Sequence, residues 1–397
     1  MSTVSPLETL ARGAVEILSR EELENALKRG KPLRVKLGVD PTSPDIHLGH
    51  TVVLQKMRQF QDLGHQAVLI IGDFTALIGD PSGKNATRPP VSEADVEVNA
   101  KTYLEQIGKV VDVSKLEIRR NSEWLSPLRL KDILSLASKV TVARLLERDD
   151  FQKRLKANTP VSFHELLYPI MQGYDSVMVK ADVELGGIDQ TFNLVMGRNL
   201  QREFAQTPQV CLMTPILTGL DGAHKMSKSL GNHIGVHDPP DTMFGRAMSI
   251  QDAMMLDWFT LLTSAPVEEA KAQISGAPRD AKLRLAELIA ARFHGAEAAR
   301  AARERWDRVV VKKETPEDIL EFVVPAAELK DGNIGLARLL VLVGFATSNS
   351  DGRRLIEQGG LTVDGQRISD PGPFVPRSGQ VLRAGKKNRF VRLKIQA

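Results

Sequence analysis

The 397-residue sequence lacks two features that would narrow its class at once, paired cysteines and long apolar runs. Cys211 is the single cysteine, which excludes an intrachain disulfide and a cysteine-cluster metal site, and we predict that it is buried on a strand. The longest apolar stretches, such as residues 339–343, are far too short to span a bilayer. The N-terminal residues have early acidic side chains and helical periodicity, where a signal peptide would have an apolar run. We therefore expect a cytoplasmic protein with no membrane segment.

The sequence also has little net charge, +4 in all, so the molecule as a whole does not indicate a polyanionic partner. The distribution of charge is uneven. Residues 331–397 hold 11 Lys and Arg against 5 Asp and Glu, whereas the preceding residues hold 42 against 44. The sequence has no internal repeat and no low-complexity tract. We expect any contact with nucleic acid to be concentrated in the C-terminal segment.

The N-terminal half has alternating strand and helix patterns. Residues 33–40 alternate apolar with polar or small side chains, which predicts a strand, and a helical pattern follows over residues 53–60. The apolar run "AVLIIGD" at 67–73 then predicts a buried strand, and further strands are predicted near 183–185 and 210–218. A strand, a helix and a strand within about 40 residues are typical of a doubly wound parallel sheet. Such sheets bind ligands at the carboxyl ends of their strands, so the following loops should carry the chemistry.

The C-terminal half has a different pattern. Residues 241–310 are rich in Ala, Leu, Arg and Glu, which favours helices. After a charged linker, the tail predicts two short helices and then strands that are joined in a hairpin at Asp364-Gly365. We predict an α/β domain over residues 1–240, a helical domain with its linker over 241–330, and a small α+β domain over 331–397.

The first candidate for chemistry is "DPTSPDIHLGH", residues 40–50, between the first strand and its helix. His47 and His50 flank Gly49 at the start of the helix, where backbone N–H groups favour a phosphate. Gly49 leaves room for a ligand close to the backbone, and the imidazoles could donate hydrogen bonds to a phosphoryl group. Taken alone, the two histidines fit surface or capping positions equally well. A zinc site is less favoured, because no third ligand is near in the sequence.

The second candidate is "DGAHKMSKSLGN", residues 221–232. A run of Ser and Lys between glycines is most often a solvated turn. Here, however, Lys225 and Lys228 lie three residues apart, with Ser227 and Ser229 as hydroxyl donors on a loop with little bulk. This chemistry suits a polyphosphate whose charge shifts during a reaction. The pentapeptide "KMSKS" is specific enough to make a chance match rare.

Together, "HLGH" after the first strand and "KMSKS" after a later one resemble the paired signatures of class I aminoacyl-tRNA synthetases. The basic tail looks like the αL-type (S4-like) RNA-binding domain shared with a small-subunit ribosomal protein. The resemblance covers the whole chain and implies a Rossmann-like doubly wound parallel sheet followed by a helical domain. It implies that ATP, with Mg²⁺ but without a metal site of the protein's own, is held between the motifs while an amino-acid carboxylate attacks its α-phosphate. The ATP-binding residues that it implies are Asp40, His47, Gly49, His50, Gly187, Asp189, Met226 and Lys228, with His47, His50, Lys225 and Lys228 as the catalytic groups.

Four segments resemble tyrosyl-tRNA synthetases in particular: residues 40–50, "LIGDPSGK" at 77–84, "YPIMQGYD" at 168–175 and "GGIDQ" at 186–190. The resemblance implies that Asp175 accepts the phenol proton of L-tyrosine, and that an acceptor built for a hydroxyl disfavours phenylalanine. An isolated Asp would by default be a carboxylate on a helix surface. The resemblance also implies that Lys84 and Arg88 approach the pyrophosphate, although a solvated loop fits them too. The tyrosine-binding residues that we predict are Lys36, Gly38, Asp40, Thr75, Asp80, Tyr168, Gln172, Asp175 and Gln190.

One position departs from the family pattern. Lys36 in "VKLGVDPT" occupies a place where many members carry Tyr near the phenol end. Lysine is only a donor and carries charge, so it could donate to the phenol oxygen or pair with Asp175 and keep that carboxylate ionised. The departure affects the detailed phenol contacts and not the identity of the amino acid.

The partners that the resemblance implies are tRNA(Tyr), L-tyrosine, ATP and a second copy of the chain in a homodimer. A tryptophanyl-tRNA synthetase is the nearest alternative, but it has no use for the Tyr-Gln-Asp face at 168–175. A non-catalytic RNA-binding protein would leave "HLGH", "KMSKS" and "GGIDQ" unexplained, and a small adenylyltransferase would not need the helical domain and the tail. The candidates for tRNA backbone contacts are Arg353, Arg354, Arg383, Lys386, Lys387 and Arg389.

Overall fold

The computed structural model describes residues 5–41, 45–82, 92–312, 314, 319–385 and 389–395. The predicted site residues Lys84, Arg88, Lys386 and Lys387 lie outside the described residues. The chain divides into two compact units, one that ends at Ala299 and one that begins at Arg300. None of the helices in the described residues has an apolar stretch of the length that a bilayer requires.

The first unit is built on a twisted sheet of six described strands in the order β1-β6-β5-β2-β3-β4. Strands β2 to β6 run parallel, and β1 lies antiparallel to β6 at the edge. The parallel core confirms the predicted doubly wound sheet, whereas the antiparallel edge strand was not predicted. The strands are β1 (Glu16–Leu18), β2 (Arg34–Val39), β3 (Gln66–Ile71), β4 (Leu116–Arg120), β5 (Val183–Gly187) and β6 (Val210–Thr214).

Burial of apolar side chains on both faces explains why the inner strands carry almost continuous apolar runs. Every residue of β3 after Gln66 is buried, and every residue of β6 is buried. Cys211 lies fully buried on β6, as predicted. Val35, Leu69 and Val183 belong to the main hydrophobic core, which helices close from outside.

The helices of the first unit begin at recognisable sequence signals. The helix that carries "YPIMQGYD" begins after Ser162, which forms a capping box with Glu165. The helices are α1 (Pro6–Ala11), α2 (Arg20–Lys28), α3 (Leu48–Asp62), α4 (Thr75–Ile78), α5 (Glu93–Ile107), α6 (Ser122–Leu125), α7 (Leu130–Ala137), α8 (Val142–Leu145), α9 (Asp149–Lys156), α10 (Phe163–Val179), α11 (Thr191–Glu203), α12 (Pro240–Met248), α13 (Met255–Leu262), α14 (Val267–Gly276) and α15 (Pro278–His294). The next helix, α16 (Ala296–Trp306), includes the boundary between Ala299 and Arg300.

Helices α12 to α15 form the region that the sequence predicts as a separate helical domain. They pack on one another, and α13 also packs on α3 beside the sheet. By their contacts, α12 to α15 therefore belong to the same compact unit as the sheet. The predicted boundary at residues 240 and 241, between the α/β domain and the helical domain, stays a prediction.

The second unit contains a described five-stranded sheet in the order β10-β9-β12-β13-β7, a two-stranded sheet of β8 and β11, and two helices. Leu340, Ile356 and Leu382 lie in its own hydrophobic core. Asp364 and Gly365 both have positive φ and join β9 to β10, which confirms the predicted hairpin. The elements are β7 (Glu321–Val324), β8 (Ile334–Gly335), α17 (Leu336–Leu342), α18 (Asn349–Glu357), β9 (Leu361–Val363), β10 (Gln366–Ile368), β11 (Pro373–Phe374), β12 (Val381–Ala384) and β13 (Arg389–Ile395).

Candidate active site

Two cavities open at the carboxyl edge of the parallel strands, where the loops after β2, β3, β5 and β6 come together. The larger has a volume of about 480 Å³ and the smaller about 280 Å³. Because they share part of their lining, molecules bound in the two cavities would touch. The shared residues are Asp40, His50, Val53, Asp80, Tyr103 and Gly187.

The larger cavity brings both sequence motifs together. From the start of α3 it is lined by His47, Gly49 and His50, and from the loop after β6 by the "KMSKS" residues 225–229. Asp189 lines it from the turn after β5, and a Cβ at Gly187 would lie 2.5 Å from an oxygen of the Asp189 carboxylate, so a side chain there would displace that carboxylate. Two lysines and two imidazoles thus line one space, as a polyphosphate requires.

His47 and His50 serve as helix caps and line the cavity at the same time. Nδ1 of His47 accepts from the Gly49 N–H, and Nδ1 of His50 accepts from the His47 N–H, both at 3.2 Å. Burial and the neighbouring His50, His233 and Lys225 lower the pKa of His47 to about 3, and burial lowers the pKa of His50 to about 4. Both rings are therefore neutral near pH 7. Since Nδ1 accepts, Nε2 carries the proton and is a donor.

The "KMSKS" loop is held by backbone and amide contacts. The Met226 N–H donates to the Leu217 carbonyl at 2.9 Å, and the Met226 side chain is buried. The Asn232 side chain donates to the Lys225 carbonyl at 3.1 Å and accepts from the Ser227 N–H at 2.8 Å. Asn232 was not among the predicted site residues, although it ends the quoted stretch. It fixes the backbone from which both lysines extend.

Lys228 links the two motifs directly. Its ammonium pairs with the Asp45 carboxylate, two residues before His47, and both side chains are more than half exposed. Exposed ion pairs of this kind contribute little stability. Lys228 can therefore exchange Asp45 for an anion in the cavity at little cost.

Asp175 on α10 lines the smaller cavity. This carboxylate is 3% exposed and accepts from Trp124 Nε1 at 2.8 Å and from Asn121 Nδ2 at 3.3 Å. Burial raises the pKa of Asp175 to about 7, while the nearby Lys36 and the two hydrogen bonds lower it. Asp175 is therefore a buried acceptor rather than a carboxylate on the helix surface. Trp124 and Asn121 come from α6 and the residue before it, and sequence reasoning missed them.

A second acidic group, Asp40, lies between the two cavities. Tyr168 Oη donates to Asp40 at 2.9 Å, and Thr75 Oγ1 donates to it at 2.8 Å. Asn121 donates to Thr75 at 3.0 Å, which connects Asp40 to the group around Asp175. The predicted residues Asp40, Thr75 and Tyr168 are thus brought into one hydrogen-bonded network.

The remaining residues predicted to bind tyrosine, apart from Lys36, line the smaller cavity. Gln190 Nε2 donates to Asp80 at 2.8 Å, and Gln190 Oε1 accepts from Asn193 at 2.8 Å. Among the described residues, the buried Oε1 of Gln172 has no hydrogen-bond partner, and Gln172 belongs to the lining of the smaller cavity. A Cβ at Gly38 would meet open space, so a side chain there would project into the volume that a ligand needs.

Lys36 differs from the prediction. Its fully buried ammonium donates to Glu184 at 2.8 Å, to Ser176 Oγ at 2.9 Å and to the Gln172 carbonyl at 3.1 Å. The predicted pairing with Asp175 is therefore wrong, and Lys36 lies outside the described lining of both cavities. The reason is register, because Lys36 on β2 lies directly opposite Glu184 on β5. Lys36 acts on Asp175 through its electrostatic field alone.

Comparison with known proteins agrees with this geometry. Residues 28–310 match the family model for class I tRNA synthetases of the tryptophan and tyrosine type, and residues 334–381 match the S4 domain. The chain belongs to this synthetase family. It is 53% identical to a tyrosine–tRNA ligase from Symbiobacterium thermophilum over 98% of this chain and 97% of that protein. It is 52% identical to a tyrosine–tRNA ligase from Moorella thermoacetica, with 98% and 95% covered.

The fold of the synthetase family is also found among solved structures. A tyrosyl-tRNA synthetase from Archaeoglobus fulgidus, complexed with L-tyrosine, superposes with a TM-score of 0.61 at 25% identity. The match covers 75% of this chain and 98% of that chain. The predicted α/β architecture and the predicted αL-type RNA-binding domain are both confirmed.

The predicted RNA-contacting residues of this synthetase lie in and beside the S4 domain. Arg353 and Arg354 are exposed on α18, and Arg354 pairs with Asp351 at 2.7 Å. Arg383 lies on β12. Arg389, on β13, donates to the Gly344 and Phe345 carbonyls, so it supports the fold as well. Among the described candidates, the α18 pair is therefore the one best presented to a large partner.

Proposed function

We propose that this chain attaches tyrosine to tRNA(Tyr) in two steps, through tyrosyl-adenylate with release of pyrophosphate. The observation that carries the proposal is the buried acceptor Asp175 in the lining of a cavity that adjoins the larger cavity with both motifs. The names of the relatives support tyrosine, and the tryptophan alternative is not favoured. A bound phenol would donate to Asp175, whereas phenylalanine would leave this acceptor without a donor.

In the smaller cavity, the substrate ammonium would be held by acceptors that the fold already supplies. Gln172 Oε1 has no partner among the described residues, and the Asp80 carboxylate lies on the same lining. Tyr168 and Thr75 donate to Asp40, which lines both cavities, so Asp40 would lie between the amino acid and the nucleotide. Gln190 lies beside Asp80, where an amide would meet the substrate carboxylate. That carboxylate would then face the larger cavity and the α-phosphate of ATP.

In the larger cavity, the protein's groups would stabilise the charge that develops as the α-phosphate is attacked. The neutral His47 and His50 would each donate from Nε2, because Nδ1 is already an acceptor. Lys225 and Lys228 extend from a loop whose backbone Asn232 holds in place. The carboxylate is itself the nucleophile, so the reaction needs no covalent intermediate with the enzyme. Catalysis then rests on positioning and electrostatic stabilisation.

Magnesium is part of the proposal through the nucleotide. Among the described residues, no group of three or more His, Cys, Asp or Glu side chains could hold a metal ion. Mg²⁺ commonly keeps several waters and binds through substrate phosphates, which fits a cavity without its own metal cage. When bound, the ion would neutralise charge on the triphosphate.

We also propose that the chain works in the cytoplasm as a homodimer. Four large apolar side chains are exposed on α7, α8 and α10, and α7 contacts α10. Exposed apolar side chains on neighbouring helices are candidates for an interface. The four side chains are Leu130, Leu134, Val142 and Phe163. Sedimentation of the wild-type chain should give a dimer mass, and a Leu134→Glu variant should shift the equilibrium towards monomer. A wild-type monomer at micromolar concentration would contradict this part of the proposal.

The tRNA step is tested by charging assays on tRNA(Tyr). The double variant Arg353→Ala/Arg354→Ala should raise the KM for tRNA, because each lost phosphate contact weakens binding. Pyrophosphate exchange with tyrosine in the absence of tRNA should stay unchanged. Arg377→Ala is the matched control, since Arg377 is exposed in the same unit but outside the predicted contact set. Normal charging by the double variant would contradict the assigned tRNA surface.

A further inference from the structure

Tyr103 on α5 lies outside the sequence motifs, yet it lines both cavities of the candidate active site. It is one of the six described residues that the two cavities share. Of the other five, two are aspartates, whose carboxylates accept hydrogen bonds, one is a valine and one is a glycine. In the described part of this shared lining, only His50 and Tyr103 have side chains that can donate a hydrogen bond to an anion.

Helix α5 holds Tyr103 at this junction through contacts on either side of it. Asn99, four residues before Tyr103, donates to the Pro41 carbonyl at 2.9 Å, and Gln106, three residues after it, accepts from the Ile46 N–H at 2.6 Å. Residues three and four apart lie on the same face of a helix. This face of α5 is thus tied to the segment after β2 and to the residue just before "HLGH", which fixes the position of Tyr103 beside that motif.

The ring and the hydroxyl of Tyr103 have different surroundings. The ring packs edge-on against the His50 imidazole, with ring centroids 6.4 Å apart and planes at 72°. The hydroxyl makes no hydrogen bond within the described residues, and it is not among the polar atoms that lack both a partner and access to solvent. It is therefore open to a ligand. Burial and the nearby Asp40 carboxylate raise the pKa of Tyr103 to about 12, so the hydroxyl keeps its proton near pH 7.

The junction of the two cavities is where the proposed reaction brings the tyrosine carboxylate to the α-phosphate of ATP. A carboxylate oxygen forms a bond to the α-phosphorus, the bond from that phosphorus to the bridging oxygen breaks, and pyrophosphate leaves with the electron pair. Charge shifts among the oxygens of the α-phosphate during this step, and a donor held in place stabilises it.

We propose that Tyr103 is a further catalytic residue, whose hydroxyl donates a hydrogen bond to a non-bridging oxygen of the α-phosphate as the carboxylate attacks. The phenol proton stays on Tyr103 throughout the step. This role rests on the proposed function and deepens it, because the paired motifs do not include residue 103.

Tyr103→Phe tests the role, because it removes the hydroxyl and keeps the ring against His50. The rate of tyrosyl-adenylate formation at saturating substrates should fall about 10- to 150-fold, as expected for one hydrogen bond to a charged group. The KM values for tyrosine and ATP should change less than about threefold, because the contact strengthens in the transition state. Tyr174→Phe is the matched control, since Tyr174 packs on Phe204 outside the described lining of both cavities, and its rate should be that of the wild type.

Sulfur substitution at the α-phosphate locates the contact. Sulfur accepts hydrogen bonds more weakly than oxygen, and each of the two diastereomers of ATPαS replaces a different non-bridging oxygen. The ratio of their rates should therefore differ between the wild type and Tyr103→Phe by about threefold or more, as expected for two groups in direct contact. The ratio in Tyr174→Phe should equal that of the wild type. A general disturbance of the fold would lower both rates alike and leave the ratio unchanged.

The outcomes separate this role from the synthetase reaction itself. A lower rate in Tyr103→Phe together with a changed diastereomer ratio supports the role. A wild-type rate in that variant, a loss confined to the KM for one substrate, or a lower rate with an unchanged ratio overturns it while the proposed function stands. Absence of tyrosine-dependent pyrophosphate exchange by the wild-type chain would overturn the proposed function, and the role of Tyr103 with it.

Discussion

Replacing Asp175 by Asn is the most informative single change, because this side chain decides which amino acid fits. The wild-type carboxylate accepts from Trp124 at 2.8 Å and from Asn121 at 3.3 Å and would accept from the phenol as well. An asparagine at 175 can turn its oxygen towards only one of these protein donors, so its NH₂ group faces the other. The variant thus loses the negative charge, and its NH₂ group faces a donor N–H group of Trp124 or Asn121.

The magnitude follows from the cost of losing a hydrogen bond to a charged group, about 1.5–3 kcal/mol. At about 1.4 kcal/mol per factor of ten, the KM for tyrosine should rise about 10- to 150-fold. The preference for tyrosine over phenylalanine should fall by a similar factor, because phenylalanine makes no use of the lost acceptor. The KM for ATP should change little, since residue 175 lies outside the described lining of the larger cavity.

The assay is tyrosine-dependent pyrophosphate exchange at varied tyrosine, phenylalanine and ATP. Asp182→Asn is the matched control, because it makes the same chemical change at an exposed position. The Asp182 carboxylate accepts a hydrogen bond from the Arg34 backbone N–H and lies outside both cavities. If Asp175→Asn kept the wild-type KM for tyrosine and the wild-type preference over phenylalanine, the role of Asp175 would be refuted.

Three further predictions concern the supporting residues. The KM for tyrosine should rise as pH falls through about 7, where Asp175 gains a proton. Lys36→Met should move the midpoint of this pH dependence to higher pH and Glu184→Gln should move it to lower pH, because Lys36 lowers and Glu184 raises the pKa of Asp175. Unchanged midpoints would refute the electrostatic effect of these two residues on Asp175. Lys228→Ala should lower the rate of adenylate formation about 100-fold while the KM for ATP changes less than about threefold, whereas equal losses would mean that the loop binds the ground state. Asn232→Ala should lower the same rate about 10- to 100-fold without changing the KM for tyrosine, because the loop backbone loses its anchor; a normal rate would exclude this role.

The fold was predictable because apolar residues recur at one spacing in the inner strands and at another in the helix between them. Alternating apolar residues at 33–39 and the apolar run at 67–73 define neighbouring parallel strands, and the structure pairs Val35 with Ala67 in register. The edge strand β1 was missed because it has three residues and none of them is buried. A strand this short has no period that sequence reasoning can detect.

Much of the candidate site was also predictable, since short motifs carry its chemistry. The contacts that set the pKa and the position of Asp175 were not predictable. Trp124 and Asn121 reach Asp175 from more than 50 positions away, and their approach depends on how the chain leaves β4. The partner of Lys36 depended on the register between β2 and β5, although Glu184 was a visible candidate as an acid within a buried strand.

The central claim is that the chain activates tyrosine, and pyrophosphate exchange measured with each of the twenty amino acids in the absence of tRNA tests it most directly. Tyrosine alone should support rapid exchange, because it alone brings a phenol donor to Asp175. Tryptophan and phenylalanine should support exchange only weakly. Exchange that is faster with tryptophan than with tyrosine, or no exchange with any amino acid, would contradict the account.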